Sequence, residues 1–206
     1  MLTCSPSATS LALDDFPDDG LFFRTAPSDS LQAEAIAQLA ERTGASSAAV
    51  VYLDDIYGRP LAAATITAVE GRGLEVTTER QVPFTADDES LLDEATALVM
   101  SEASVMIVIG DADQGLRMLT AISDVAGPAT DREPPQIIVN DAMRAMPAAQ
   151  VAQVLGPGVR ERIQGVAPVA QGTAEEEPLG PFATNAYDCV NLVVLAAMQA
   201  STDARR

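Results

Sequence analysis

Histidine, tryptophan and lysine are all missing from this 206-residue chain. Without histidine there is no Ser–His–Asp triad, no Cys–His pair and no HExxH zinc site. Without lysine there is no Walker A phosphate clamp and no Schiff-base nucleophile. Aromatic residues are scarce at 4%, so alanine, valine and leucine must do the packing. Positive charge is scarce too: 12 basic against 30 acidic side chains leave a formal charge of −18. So negative a surface repels phosphate backbones and anionic lipid, which argues against nucleic acid and membrane surfaces as partners. No run reaches the ~18 uninterrupted apolar residues of a membrane span; "VNLVVLAAMQA" is shorter and reads as a buried helix.

Cysteine is nearly absent as well. Cys4 and Cys189 are too few and too far apart for a disulfide framework or a zinc site, and a bridge between them is not the expectation. No basic and apolar leader precedes "MLTC", so no signal peptide is read in this chain. Aspartate and glutamate are plentiful, so carboxylate chemistry stays open.

What is present is alternation. "PSDSLQAEAIAQLAERTG" predicts a helix opened by a capping-box pair, Asp29 and Gln32, with Leu31, Ala35, Ile36 and Leu39 on one face and Gly44 as its stop. "AAVVYL" predicts a buried strand, "RPLAAATITAVEGRG" a helix, and "LEVTTERQVPF" a partly alternating strand nearer an edge. "DDESLLDEATALVMSEA" carries acids at its first turn, which suits the positive end of a helix dipole, and has Leu91, Leu92, Ala95, Leu98 and Val99 as its apolar face. "SVMIVIGD" and "PQIIVND" are further buried strands around the helix "DQGLRMLTAISDVAG"; "MPAAQVAQVLG" is a short helix and "IQGVAPVA" is extended. Continuous apolar strands alternating with helices mean an α/β fold: a parallel sheet with helices on both faces, in three layers. "QGTAEEEPLGP" reads as a linker with a solvated run, Glu175 to Glu177. The helix after it, "FATNAYDCVNLVVLAAMQAS", is apolar nearly all round and calls for burial, with little in this chain to bury it. The opening "MLTCSPSATSLALDD" likewise starts in what looks like the end of a strand. Both ends read as cut from something larger.

Ligands of open parallel sheets bind beyond the carboxyl ends of the strands. Three strands end in polar turns, "LDDIYG", "IGDADQG" and "VNDAMR", which brings Tyr57, Asp111 and Asp141 onto one rim suited to a small molecule. Tyr57 either rests its ring on the sheet edge or stacks on a ligand. Asp54 and Asp55 fit turn formers better than metal ligands, and Asp111 with Asp113 fits a helix start better than a metal pair. Asn140 and Asp141 can satisfy turn amides at a strand end. The hydroxyl-rich "SPSATS" is either a polar loop with local bonds or a cradle for a carboxylate.

"SPSATS", then "LFFRTAPSDSLQAEAIAQLAERTGASSAAVVYLDDIYG", then the late "AYDCVNLVVLAAMQA" resemble, in order and over nearly the whole chain, the type I periplasmic-binding-protein family. The nearest branch looks like the branched-chain amino acid and amide binding proteins of ABC importers, related to leucine-binding proteins. Members have two α/β lobes joined by crossing strands, with ligand clamped between them. The resemblance implies that residues 1–21 end the first lobe, 22–169 form the second, and 170–206 are a linker and a helix returning to the first, leaving a truncated family member. It points to Ser7, Thr9 and the backbone of Ala8 as holders of a ligand carboxylate and ammonium, to Tyr57 facing the ligand from the second lobe, and to Asp141 as receiver of the ammonium. Leucine-type binders often carry an aromatic after "VIGD"; Ala112 stands there, which argues against leucine itself.

The expected function is therefore extracytoplasmic solute binding, of an amino acid or amide, for an ABC permease, with no enzyme activity, cofactor or metal. Two alternatives stand beside it: a ligand-sensing domain of a receptor or amide-responsive regulator, and a carboxylate- or metal-dependent enzyme using Asp54, Asp55 and Asp111. Lacking half of one lobe, the chain is expected to bind amino acids weakly or not at all, and micromolar calorimetric binding would contradict that.

Overall fold

A computed structural model describes residues 2–126, 135–168 and 182–203. The chain divides into two compact units, Met1–Asp29 with Pro168–Arg206, and Ser30–Ala167.

The larger unit is built on five parallel strands. In chain order they are β3 (Ala48–Leu53), β4 (Gln81–Phe84), β5 (Val105–Ile109), β6 (Gln136–Val139) and β7 (Ile163–Gly165), arranged β4-β3-β5-β6-β7. The first two strands of the chain, β1 (Thr3–Ser5) and β2 (Phe22–Arg24), belong to the smaller unit. Side chains alternate across the sheet with the strand period of two. Ala49, Val51, Leu53, Met106, Val108, Ile137 and Val139 enter one core with α3 (Leu92–Met100) and α4 (Ala112–Ala126). Ala48, Val50, Val105, Ile107, Ile109 and Ile138 enter the opposite core with α1 (Asp29–Arg42) and α2 (Gly58–Gly71). Both faces are therefore covered, which is why these strands read as unbroken apolar runs. Full burial of each Leu, Ile or Phe here contributes about 1.5–3 kcal/mol.

The expected edge strand is shorter than "LEVTTERQVPF": a single turn of 3-10 helix occupies Thr78–Arg80, and only Gln81–Phe84 pairs, with Val51 opposite Val82. Pro83 lacks an amide hydrogen and is tolerated because β4 is at the edge. The α1 face is also shifted. Ala33, Ile36, Ala37 and Ala40 are buried, at spacings of three and four, while Leu31 is 62% exposed. Leu92 likewise lies outside the α3 face, half exposed, and that helix carries Asp93 and Glu94 in its first turn. The capping box does not close, because the Asp29 amide donates to the Thr9 carbonyl at 2.8 Å. Short helices α5 (Ala148–Val154) and α6 (Pro157–Arg160) lead into β7.

In the smaller unit β1 and β2 pair in parallel, Cys4 opposite Phe23. The helix α7 (Ala183–Asp203) reaches β1 through a Cys4–Cys189 disulfide, with Cα atoms 5.8 Å apart. This overturns the expectation of unpaired cysteines: a separation of 185 residues is no obstacle once the chain returns to its own beginning. Thr25 and Asn185 add two reciprocal bonds of 2.7 Å, from the Thr25 hydroxyl to the Asn185 carbonyl and from the Asn185 side chain to the Thr25 carbonyl. The expected burial of α7 is not met among the described residues. Tyr187, Val190, Leu192, Val193, Val194, Leu195 and Met198 are all exposed. The predicted linker "QGTAEEEPLGP", with Glu175 to Glu177, lies outside the described residues.

Candidate functional site

The carboxyl ends of β3, β5 and β6 are adjacent, as Tyr52 opposes Ile109 and Val108 opposes Val139. Immediately beyond them come the three polar turns.

After β3 the chain must turn sharply into α2, and Asp55 shapes that turn. Its Oδ1 accepts from the amides of Tyr57 and Gly58, at 2.9 and 2.6 Å. Gly58 packs so tightly that an added Cβ would lie 2.1 Å from the Leu53 carbonyl oxygen, so no other residue fits without moving backbone. Asp54 pairs with Arg59 at 2.6 Å, and that bond holds the Asp54 carboxyl below, and the Arg59 guanidinium above, its ordinary pKa. Both aspartates thus hold the turn and its neighbour Arg59. No cluster of three or more metal-ligating side chains occurs among the described residues. Ile56, at the tip, is 93% exposed.

Tyr57 is half-buried, its ring packed against the core that α1 and α2 cover. Its hydroxyl donates to Asp141 Oδ1 at 3.1 Å and accepts from Asn140 Nδ2 at 3.0 Å. Asn140 Oδ1 in turn accepts from the Gly110 amide at 3.1 Å. Three strand ends are stitched into one network by residues up to 84 positions apart. Asp141 opens a 3-10 turn, Asp141–Ala145, whose Met143 side chain fills the space that Gly115 leaves by having no Cβ.

Of the sequence-predicted rim, then, Tyr57 and Asp141 are in direct contact. Asp111 follows β5 at the same edge, but its Oδ1 accepts from the Gln114 amide at 2.8 Å and so caps α4. Ser7, Ala8 and Thr9 belong to the smaller unit. There the Ala8 amide donates to Ser5 Oγ at 3.1 Å, Ser7 is exposed and Thr9 is buried. The carbonyls of Ala8, Thr9 and Ser10 all accept from Arg24 Nη1, at 3.5, 3.3 and 3.0 Å, and Arg24 also pairs with Asp14. The loop therefore turns carbonyls onto a guanidinium as well as offering hydroxyls. Sequence reasoning missed Asn140 as a partner of Tyr57 and Gly110 as the partner of Asn140. The only signal was an asparagine at a strand end, which usually serves a turn.

The larger unit also has a groove of about 480 Å³ lined by residues of α3, α4 and α5, among them Leu92, Asp113, Arg117, Thr120 and Gln150. None of Tyr57, Asp111 and Asp141 lines it.

Residues 1–128 match the family described as "Receptor family ligand binding region". Solved structures share the fold. One assigned as a branched-chain amino acid ABC transporter from Rhodospirillum rubrum superposes with a TM-score of 0.63 at 16% identity, over 85% of this chain and 46% of that one. A leucine binding protein from Thermotoga maritima gives 0.53 at 17% identity, over 67% and 37%. An ABC-transporter solute binding protein from R. palustris in complex with benzoate gives 0.54 at 11% identity, over 67% and 35%. The chain spans less than half the length of each of these structures. No curated protein matches it in sequence.

Proposed function

Because this chain belongs to the receptor family of ligand-binding regions, of type I periplasmic-binding-protein fold, we propose that it contributes a ligand wall to an extracytoplasmic solute-binding protein of an ABC importer. The family is one of binders and not of enzymes, so the carboxylate-enzyme alternative is set aside. The observation that carries the proposal is the Tyr57–Asp141 bond at the carboxyl edge of a parallel sheet, where ligands of such sheets bind. The ligand class is a small amino acid or amide, with Tyr57 and Asp141 as the contacts on the larger unit and Asp111 as a capping neighbour. Ser7, Thr9 and Ala8 are the proposed contacts on the smaller unit. Binding favours the closed form of two lobes, and that form is what a permease recognises.

Two further points bear on the proposal. The Cys4–Cys189 bridge supports an oxidising, extracytoplasmic compartment. No helix among the described residues is long and apolar enough to cross a membrane. The family description also favours one second reading, the ligand-sensing region of a receptor, which would share the same wall and differ in its partner.

A titration of the ¹⁵N-labelled full chain with a branched-chain amino acid and with its amide tests the proposal. Shifts centred on Gly110, Asn140 and Tyr57 are expected at millimolar ligand. Shifts confined to the groove at Arg117 and Thr120 would overturn it.

A further inference from the structure

The groove between α3, α4 and α5 lies outside the ligand-wall reading, and its charges are unevenly matched. Arg117 lines it, but the guanidinium is already occupied. It donates to the Ala86 carbonyl at 3.2 Å, to Gln114 Oε1 at 2.6 Å and to the Asp88 carbonyl. The Thr120 hydroxyl donates to the Leu116 carbonyl at 2.7 Å. Glu89, Asp113 and Asp124 line the same groove, are exposed, and make no ion pair with any described residue. The rest of the lining is largely apolar. Leu91, Leu116 and Ala121 contribute from buried positions, while Leu92 on α3 and Val154 on α5 are 50% and 40% exposed.

Asp113, Arg117, Thr120 and Asp124 succeed one another on α4 at spacings of four, three and four, and so share one face. The two aspartates are therefore about 16 Å apart along the helix. Asp113 suits the first turn. Asp124 sits in the last turn, where the helix dipole disfavours negative charge and no basic residue offsets it.

We propose that this groove docks a basic amphipathic helix of another protein, which lays apolar side chains on Leu92 and Val154 and brings one cation to Asp113 and another to Asp124. Charge selects the partner. Three carboxylates against one occupied guanidinium favour a basic segment and repel an acidic one, including a second copy of this chain at −18. Geometry selects the helix. The lining residues belong to helices and to the turn leading into α3, so an extended segment would find no strand edge for its amides. On the partner helix the two cations then fall about eleven positions apart. Nothing here depends on the rim, since Tyr57, Asp111 and Asp141 do not line the groove.

The probe is a synthetic helix of about fourteen residues, with leucines on one face and an arginine near each end at that spacing. Titrated into the ¹⁵N-labelled full chain, it should shift the amides of Leu92, Thr120, Ala121 and Val154 and leave Gly110 and Tyr57 in place. Replacing both arginines by glutamate should weaken binding at least about tenfold, and added salt should weaken the arginine peptide several-fold. Asp113→Asn combined with Asp124→Asn should remove most of that salt dependence. Leu92→Ser, at an exposed position, should lower affinity and leave the salt dependence intact. The absence of shifts, shifts scattered over the whole acidic surface, equal binding of the two peptides, or affinity unchanged in both variants would each overturn the proposal. So would self-association that moves the same groove amides on dilution without peptide, because a second copy would then be the occupant.

Discussion

The larger unit is held by two apolar cores on either side of five strands, with the Tyr57–Asn140–Asp141 network at the carboxyl edge of the sheet. The smaller unit has two short strands, a covalent bridge, an arginine gripping three carbonyls, and a long helix whose apolar side chains face outward. The difference teaches what each kind of holding is for. Burial over many strands is insensitive to any single bond and can support a precise rim. A two-stranded pair buries little, and so depends on staples.

Removing the staple should separate the units most sharply. Cys189→Ser is expected to cost the smaller unit about 4 kcal/mol, given the long loop the bridge closes. Hydrogen exchange would then show β1, β2 and α7 losing protection while β3, β5 and β6 keep theirs. Equal loss in both units would erase the distinction. The converse disturbance is Gly58→Ala, which drives a methyl into the Leu53 carbonyl. It should destabilise the larger unit by about 3 kcal/mol in urea unfolding, as overpacking does, and leave the Cys4–Cys189 bridge formed.

Tyr57→Phe removes one hydroxyl from between two nearly buried partners. A loss of about 1.5 kcal/mol in the larger unit is expected from that hydrogen bond to a charged group, measured by the same unfolding curve. Acid should also reach the Asp18 turn of the smaller unit. Bonds from the Phe22 and Gly20 amides hold the Asp18 carboxyl below its ordinary pKa. A lowered folded-state value means that its stabilisation is full above the ordinary carboxylate range and lost as pH falls through the lowered value. Exchange at Phe22 and Gly20 should therefore rise only in that acid window. Smallest of all, Leu31→Gln should change stability by less than about 0.5 kcal/mol, because Leu31 lies off the buried face of α1.

Much of the larger unit was legible before any coordinates. Runs such as "AAVVYL" and "SVMIVIG" announce strands buried on both faces, since only that environment tolerates apolar residues at every position. Local period could not say that Leu31 points away, because several helical faces of α1 are almost equally apolar and the sheet chooses among them. Pairings across long separations were beyond it altogether. Cys4 meets Cys189 because α7 returns to β1, and Asn140 meets Tyr57 because strand order brings the ends of β3 and β6 together. The rim was foreseen as three turns along one edge. The bonds that join its turns were not, since Gly110 facing Asn140 and Asn140 facing Tyr57 have no signature in spacing. The all-round apolar character of α7 was read correctly as composition, yet it does not translate into burial among the described residues.

The absence of tryptophan and the presence of only three tyrosines allow one direct measurement of the central claim. Tyr52 lies in β3, Tyr57 at the rim and Tyr187 exposed on α7. In a chain labelled with ¹³C only on tyrosine rings, titration with a primary amide should move the Tyr57 signals progressively and leave those of Tyr52 and Tyr187 where they are. Movement of Tyr187 alone, or no movement of Tyr57 at saturating amide, would contradict the assignment of this rim as a ligand wall.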